Sequence, residues 1–272
     1  MEEIRELENK AKEVRRNILQ MIYEGNTGHT GGALSSTDIM TVLFYKYMNV
    51  DAKNPKKEDR DRFILSKGHC VEPYLYILSD LGFYPKEELK TFSKFGSKFI
   101  GHPNNKISGI EMNTGALGHG LSVGVGMAIG AKKQMLSNRV FVLMGDGEQA
   151  EGSVWEAAMA GAHYKLNNLI GIVDRNRLQI SGSTEEVMGL DPLDKKWEAF
   201  GWNVVQINGN SIKELLEVFD KIDEKSDKPT LIIANTTKGC GVSYMENVAK
   251  WHHGVPTKEQ LDQAILELGG TL

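Results

Sequence analysis

The chain has 272 residues and a mass of 30.2 kDa, which is enough to bury a full hydrophobic core. A net charge of −4 and a pI near 6.0 argue against nucleic acid as a partner, and no apolar run is long enough to predict a membrane span. Cys70 and Cys240 are the two cysteines, and no signal peptide is recognisable. We therefore expect a cytoplasmic protein and infer neither a disulfide nor a metal site from these thiols.

Apolar spacing predicts a series of helices. The first covers residues 3–23, with apolar side chains at intervals of three and four, and ends before Gly25. A glycine-rich loop with His29 follows, and Ser35 or Ser36 is expected to cap an apolar helix that runs to about Met48. Further helices are predicted at 72–81, from Pro85 onward, at 117–134, after the GDG sequence at 145–147, and at 193–200, 211–223 and 257–268.

Short apolar strands alternate with these helices, at residues 63–65, 140–144, 169–173, 203–207 and 230–235. This alternation predicts an α/β fold with a doubly wound, mainly parallel sheet of about five strands and helices on both faces. No linker or repeat interrupts it, so one domain over residues 1–272 is the simplest interpretation. Residues 95–115 lack periodicity and are predicted to form a loop that lines a site. The glycines of the 117–134 helix predict close packing against the sheet or a second subunit.

Two polar side chains directly follow neighbouring strands. Asp146 lies between Gly145 and Gly147 after the second strand, and Asn176 follows the third. Parallel strands end at the edge where open α/β sheets bind ligands. A carboxylate and a carboxamide there suggest a hard cation such as Mg²⁺, and the glycines permit close approach of a diphosphate. For an isolated GDG sequence, an aspartate that caps a helix is the alternative explanation.

Histidines recur in glycine-containing loops beside predicted element ends: His29, His69, His102 and the pair His252 and His253. HExxH and Cys/His metal-ligand spacings are absent, so these histidines do not predict a metal site. Taken singly, each is explained as a surface or structural histidine. If their loops converge on one sheet edge, they would form a pocket for phosphate oxygens and sugar hydroxyls that can transfer protons near neutral pH.

Six segments occur in a characteristic order: GHTGGALSSTDI, LSKGH, GHP, TGALGHGLSVGVGMA, GDGEQAEGSVWEAA and DRNRLQISG. Together they resemble the N-terminal, diphosphate-binding part of transketolase, and the resemblance covers essentially the whole chain. Transketolases of ordinary length continue into a pyrimidine-binding domain and a C-terminal domain. The resemblance therefore implies the smaller subunit of a split transketolase, whose partner chain carries those domains in an expected α2β2 heterotetramer.

The resemblance also implies roles for individual residues. Asp146, Asn176 and the carbonyl of Leu178 would bind Mg²⁺, and Leu117 and Ile180 would enclose the thiazolium ring. The residues expected to contact thiamine diphosphate are His69, Gly115, Ala116, Leu117, Gly145, Asp146, Gly147, Glu151, Asn176, Ile180 and the pair His252 and His253. The catalytic residues expected to orient substrate hydroxyls and move protons are His29, His102 and one of His252 and His253. Trp251 and Pro256 favour His252 for that role by their positions in the family pattern, whereas Gly254 favours His253.

The implied reaction transfers a two-carbon ketol unit from a ketose phosphate to an aldose, as in pentose phosphate metabolism. The glutamate that activates the cofactor belongs to the absent domain, so the chain alone is expected to be inactive. Within this class, a sulfosugar, a branched sugar phosphate or formaldehyde is an alternative substrate. Deoxyxylulose-phosphate synthase and 2-oxoacid dehydrogenase α-subunits share the GDG sequence but match the other segments less well. A noncatalytic binding subunit is an alternative from another class, and a dinucleotide-binding protein is disfavoured by the absence of GxGxxG after a first strand.

Overall fold

A computed structural model describes residues 1–222 and 226–271 of the chain. Its strands are β1 (Arg62–Leu65), β2 (Val140–Gly145), β3 (Leu169–Arg175), β4 (Leu178–Gln179), β5 (Gly182–Ser183), β6 (Asn203–Asn208) and β7 (Thr230–Asn235). Within these ranges, β1, β2, β3, β7 and β6 form a five-stranded parallel sheet in that order, and β4 pairs with β5 as an antiparallel hairpin. The α/β fold and the five main strands predicted from the sequence are confirmed.

The α-helices are α1 (Glu2–Gly25), α2 (Thr30–Val42), α3 (Val71–Asp80), α4 (Gly120–Lys133), α5 (Gly152–His163), α6 (Thr184–Val187), α7 (Leu193–Ala199), α8 (Ile212–Asp220) and α9 (Lys258–Glu267). Shorter 3₁₀ segments cover Lys86–Thr91, Gly147–Ala150 and Ala249–His252, and a π-helical turn covers Leu43–Tyr47. Ser211 caps α8 as expected, by accepting from the backbone N–H of Glu214 at 3.3 Å. The predicted end of that helix at residue 223 lies outside the described residues. No helix in the described part of the chain is both long enough and apolar enough to cross a membrane.

The two faces of the sheet are covered by different helices. Alternate residues of β2 show this: Phe141 and Leu143 pack with α1, α2, α3, α8 and α9, whereas Val142 and Met144 pack with α4, α5 and α7. Strand side chains alternate between faces, so a strand with apolar residues at every position is buried from both sides. This arrangement confirms the prediction of helices on both faces.

The proposed cap of the second helix is wrong. Helix α2 begins at Thr30, and Ser35 and Ser36 lie buried inside it, where both hydroxyls donate to the carbonyl of Gly32 at 3.0 and 2.8 Å. The glycines that suggested a loop are helical because they permit close packing: a Cβ on Gly32 would lie 2.5 Å from Sγ of Cys70. The correction places His29 directly at the start of a helix.

Register brings the functional strand ends to one level. Gly145 of β2 pairs with Asp174 of β3, and Arg175 pairs with Asn235 of β7. The residues that follow these strands therefore meet at the carboxyl edge, as the sequence predicted.

Candidate cofactor site

A cavity of about 430 Å³ opens at the carboxyl edge of the sheet. The residues predicted from the sequence that line it are His29, His69, Gly115, Leu117, Gly145, Asp146, Gly147, Glu151, Asn176, Leu178, Ile180 and His252. The lining also contains residues without a predicted role: Gly32, Lys67, Glu148, Ala150, Gln179, Ser181 and Lys238. Of the other predicted residues, Ala116 is exposed beside Leu117, and the rings of His102 and His253 lie close to that of His29.

Asp146 is 3% exposed and tightly held. Its Oδ1 accepts from the N–H of Gly147 at 2.8 Å, and its Oδ2 accepts from the N–H of Arg177 at 2.5 Å. The aspartate thus caps the short 3₁₀ turn at Gly147–Ala150, so the alternative explanation of the GDG sequence is also correct. Burial and the neighbouring Asp174 raise the pKa of Asp146, against the effect of these N–H donors. A cation beside the carboxylate would favour its charged form.

Asn176 and Leu178 supply the two other oxygens predicted to bind a metal ion. Oδ1 of Asn176 accepts from the N–H of Leu178 at 3.1 Å, and its Nδ2 lies 3.4 Å from Oδ2 of Asp174, which fixes the orientation of the amide. The carbonyl of Leu178 accepts from Nζ of Lys238 at 2.8 Å and keeps a second lone pair. Across residues 1–222 and 226–271, no group of three or more His, Cys, Asp and Glu could hold a metal ion. A carboxylate, an amide oxygen and a carbonyl suit Mg²⁺, which prefers oxygen ligands.

The predicted histidines come together around His29. The distances from its ring centroid are 5.1 Å to His69, 6.0 Å to His102, 5.6 Å to His252 and 4.7 Å to His253. Burial, followed by the nearby His253 and His102, lowers the pKa of His29 to about 4. Burial, followed by Lys238, lowers the pKa of His252 to about 3, so both rings are neutral at pH 7.

Sequence reasoning missed two lysines beneath the cavity. Nζ of Lys67 forms a fully buried ion pair with Asp174, which also accepts from the hydroxyl of Ser35 at 2.7 Å. Lys238 is 2% exposed, and burial together with Lys67 lowers its pKa to about 8. Its Nζ lies 3.0 Å from Nδ1 of His252. An ammonium can only donate, so Nδ1 accepts and the proton of the neutral His252 ring lies on Nε2.

Glu148 is a third residue that the sequence did not single out. It is buried, and its Oε1 accepts from the N–H of Gly118 at 2.8 Å and from the hydroxyl of Ser66, while Oε2 accepts from the N–H of Gly145 at 2.9 Å. One carboxyl group thereby joins the ends of β1 and β2 to the start of α4. Its position directly after the GDG sequence was the available signal.

Two glycines leave room for a ligand to meet the backbone. A Cβ on Gly147 would lie 2.5 Å from Oε1 of Gln179, so the turn packs directly against the β4–β5 hairpin. Gly115 has a φ of +147°, and a Cβ there would lie 2.8 Å from Cδ2 of His102. Side chains at these positions would close the space between the hairpin and the histidine cluster.

Comparison with known proteins identifies the fold and its family. The family model "Transketolase, thiamine diphosphate binding domain" matches residues 7–269. The transketolase of Campylobacter jejuni superimposes with a TM-score of 0.91 at 33% identity, over 97% of this chain and 43% of that one. Human transketolase is 37% identical over 98% of this chain and 42% of its own length. The chain thus spans about two fifths of these full-length enzymes.

Some relatives have the length of this chain. A subunit of the apulose-4-phosphate transketolase of Phocaeicola vulgatus is 51% identical over 98% of this chain and 95% of its own. The 6-deoxy-6-sulfo-D-fructose transketolase subunit SqwG of a Clostridium species is 37% identical over 97% and 96%. The family resemblance seen in the sequence is confirmed. The chain belongs to the transketolase family, as its thiamine diphosphate binding domain and with the length of the relatives that are named as single subunits.

Proposed function

We propose that this chain is the N-terminal subunit of a two-chain transketolase that transfers a two-carbon ketol unit from a ketose phosphate to an aldose. The observation that carries the proposal is the cavity itself: it places the oxygens of Asp146, Asn176 and Leu178 beside a cluster of neutral histidines. No position predicted for metal, diphosphate or substrate has lost its functional side chain. A noncatalytic subunit would be free to lose them.

The residues present fit thiamine diphosphate held through Mg²⁺. Asp146, Asn176 and the carbonyl of Leu178 would bind the metal ion. Lys238 and His69 lie at the same cavity and would hold the diphosphate oxygens through charge-assisted and neutral hydrogen bonds. When bound, thiamine diphosphate supplies the electron sink that permits cleavage of the carbon–carbon bond of the ketose.

The apolar part of the cofactor would contact the rim of the cavity. Leu117 and Ile180 line the cavity from opposite segments, and Ile180 is 72% exposed. The backbone at Gly115 would meet the pyrimidine ring, with Ala116 adjacent to it, while Gly145 and Gly147 let the backbone approach the diphosphate. Glu151, at the start of α5, lies exposed at the rim, where it can contact another subunit.

The histidines would act on the substrate. His29, His102 and His252 or His253 would orient hydroxyl groups and exchange protons with substrate oxygens, which a neutral imidazole can do as donor and acceptor. His252 lines the cavity and presents its Nε2 proton, whereas His253 bonds Thr27 at 3.2 Å from its own Nε2. This geometry favours His252 as the residue that meets cofactor or substrate.

The second half of the site would come from another chain. Relatives of the same length are named as transketolase subunits, which supports a partner chain with the pyrimidine-binding and C-terminal domains. Exposed apolar side chains near the cavity, Ile180 and Met188, support such a contact. We propose an α2β2 heterotetramer of the cytoplasm. Because two of these relatives are named for apulose-4-phosphate, that ketose phosphate is the first substrate to test, ahead of the sulfosugar.

The test is reconstitution. The chain is co-expressed with the reading frame next to its own that encodes a pyrimidine-binding domain, and the complex is assayed with a panel of ketose phosphates and aldoses. We expect ketol transfer by the complex, none by either chain alone, and Mg²⁺-dependent binding of thiamine diphosphate by calorimetry. A complex that forms but binds no thiamine diphosphate would show that the chain is a noncatalytic subunit.

A further inference from the structure

A buried carboxyl group lies behind the histidine cluster. Glu72 is 0% exposed in the first turn of α3, three residues after His69. Its Oε1 accepts a hydrogen bond from the backbone N–H of His29 at 3.1 Å. Its Oε2 has no hydrogen-bond partner among the described residues. Burying a carboxyl group is costly, so its retention here calls for a specific role.

The turn that carries His29 is held from two sides. On one side, the N–H of Gly254 donates to the carbonyl of Gly28 at 3.2 Å, and the hydroxyl of Thr30 donates to the carbonyl of Gly254 at 2.5 Å. On the other side stands Glu72. A Cβ on Gly28 would lie 2.9 Å from Oε1 of Glu72, so the backbone of the turn rests directly on the carboxyl group.

This contact joins two histidine-bearing segments. Helix α3 begins two residues after His69, and α2 begins directly after His29. The hydrogen bond from His29 to Glu72 therefore links the start of one helix to the start of the other, and the two imidazole centroids lie 5.1 Å apart above it. Without an acceptor at this position, a buried N–H would be left unpaired and the turn would move to satisfy it.

We propose that Glu72 is a positioning residue, which fixes the imidazole of His29 relative to His69 through its hydrogen bond to the His29 backbone. The catalytic consequence rests on the proposed function, whereas the positional consequence does not. The bond requires an acceptor oxygen and not a negative charge, because a protonated carboxyl group keeps Oε1 as an acceptor. Glutamine can therefore replace glutamate here, and methionine of similar length cannot.

The first experiment measures position in the isolated full-length chain. Histidine ring signals are recorded by NMR and assigned with His29→Gln, and amide exchange is followed at His29. We expect Glu72→Gln to keep the His29 signals near those of the natural chain. Glu72→Met should shift the His29 ring signals and accelerate exchange of its amide about tenfold, as loss of one hydrogen bond predicts. Glu72→Asp, which withdraws the acceptor by one methylene, should behave as Met does and serves if the Met variant does not fold.

The matched control is Asp61→Asn. Asp61 is also a buried carboxyl group, 3% exposed, and accepts from the N–H groups of Asn49 at 2.9 Å and Arg139 at 2.7 Å beside the opposite end of β1. Its replacement should leave the His29 signals unchanged even if it lowers stability. Unchanged His29 signals and amide exchange in both Glu72→Met and Glu72→Asp would overturn the proposal.

The second experiment measures catalysis in the reconstituted complex. A displaced catalytic group costs up to about 100-fold in rate, so kcat of Glu72→Met should fall about 10- to 100-fold while that of Glu72→Gln stays within about threefold. Affinity for thiamine diphosphate should stay within about threefold in both, because the predicted metal ligands follow other strands. Equal kcat for the Met and natural chains would refute the catalytic consequence. Inactivity of the natural complex, with the NMR result as expected, would refute the proposed function and leave the positioning role standing.

Discussion

The pH dependence of stability should carry a signature of Glu72. Burial raises the pKa of its carboxyl group from the ordinary 4.5 to about 7, against the lowering effect of its own backbone N–H, the N–H of His29 and the charge of Lys67. The folded chain therefore holds a proton between these pH values that the unfolded chain releases. Stability from this group is complete below pH 4.5 and is lost as the pH rises through 7. At 1.36 kcal/mol for each pH unit, the loss is about 3 kcal/mol.

The assay is urea unfolding from pH 4 to pH 8 of the natural chain and of Glu72→Gln. Glutamine stays neutral at every pH, so it removes this dependence and leaves that of the other groups in place. Its buried amide adds a cost that does not change with pH. The free energy of unfolding of the natural chain, minus that of the variant, should thus fall by most of about 3 kcal/mol over this range.

Glu13→Gln supplies a control of opposite sign. Burial raises the pKa of Glu13, but hydrogen bonds from Lys10 at 2.8 Å and from Tyr76 at 2.9 Å outweigh it, so the pKa is lowered. The corresponding difference should rise with pH as the carboxylate ionises. A flat or rising difference for Glu72, with the expected rise for Glu13, would refute the assignment of a buried proton to Glu72.

Three further outcomes are expected. Asp146→Asn should abolish Mg²⁺-dependent binding of thiamine diphosphate in calorimetry while circular dichroism stays unchanged, because an amide oxygen can still cap the turn; normal affinity would exclude the metal role. Lys238→Met should weaken thiamine diphosphate about 10- to 100-fold, the worth of one charged hydrogen bond, and an unchanged Kd would remove the lysine from the diphosphate site. Thr257→Ala should cost about 1 kcal/mol of unfolding free energy by loss of the capping box with Gln260, with cofactor affinity unchanged; loss of affinity would contradict that separation.

The sheet and its functional edge could be predicted because their signals are local. An apolar run followed by Gly145 and Asp146 marks the end of a strand, and Asn176 marks the next one. The rules of parallel sheets then bring both ends together without further information. Helix ends were less certain: the glycines before Ser35 suggested a loop, although close packing against Cys70 makes them helical.

The missed residues act across long stretches of sequence. Lys238 meets Leu178 from 60 positions away, and Glu72 meets His29 from 43. A lone lysine after two threonines, or a glutamate in the first turn of a helix, has an ordinary local explanation. Their roles depend on burial and on the backbone group that each one faces, and neither is written in the local pattern.

The cations beneath the cavity differ in their partners. Lys67 is neutralised by Asp174, which lies between it and the hydroxyl of Ser35. Lys238 instead meets two uncharged groups, the carbonyl of Leu178 and Nδ1 of His252. A buried ammonium with neutral partners is costly unless an anion approaches it. The floor of the cavity therefore holds one closed ion pair and one positive charge that remains available to a ligand.

The neighbouring acid has the converse requirement. Asp146 is buried on two backbone N–H groups, and its nearest cation, Arg175 at 3.6 Å, is shared with Glu185 at 2.6 Å and Asp191 at 3.2 Å. A ligand that stabilised only the lysine, such as a bare phosphate, would bring negative charge towards this carboxylate and lose part of what it gained. A divalent cation bound together with a diphosphate satisfies both groups at once. Metal and diphosphate should therefore bind to this chain cooperatively, each weakly without the other.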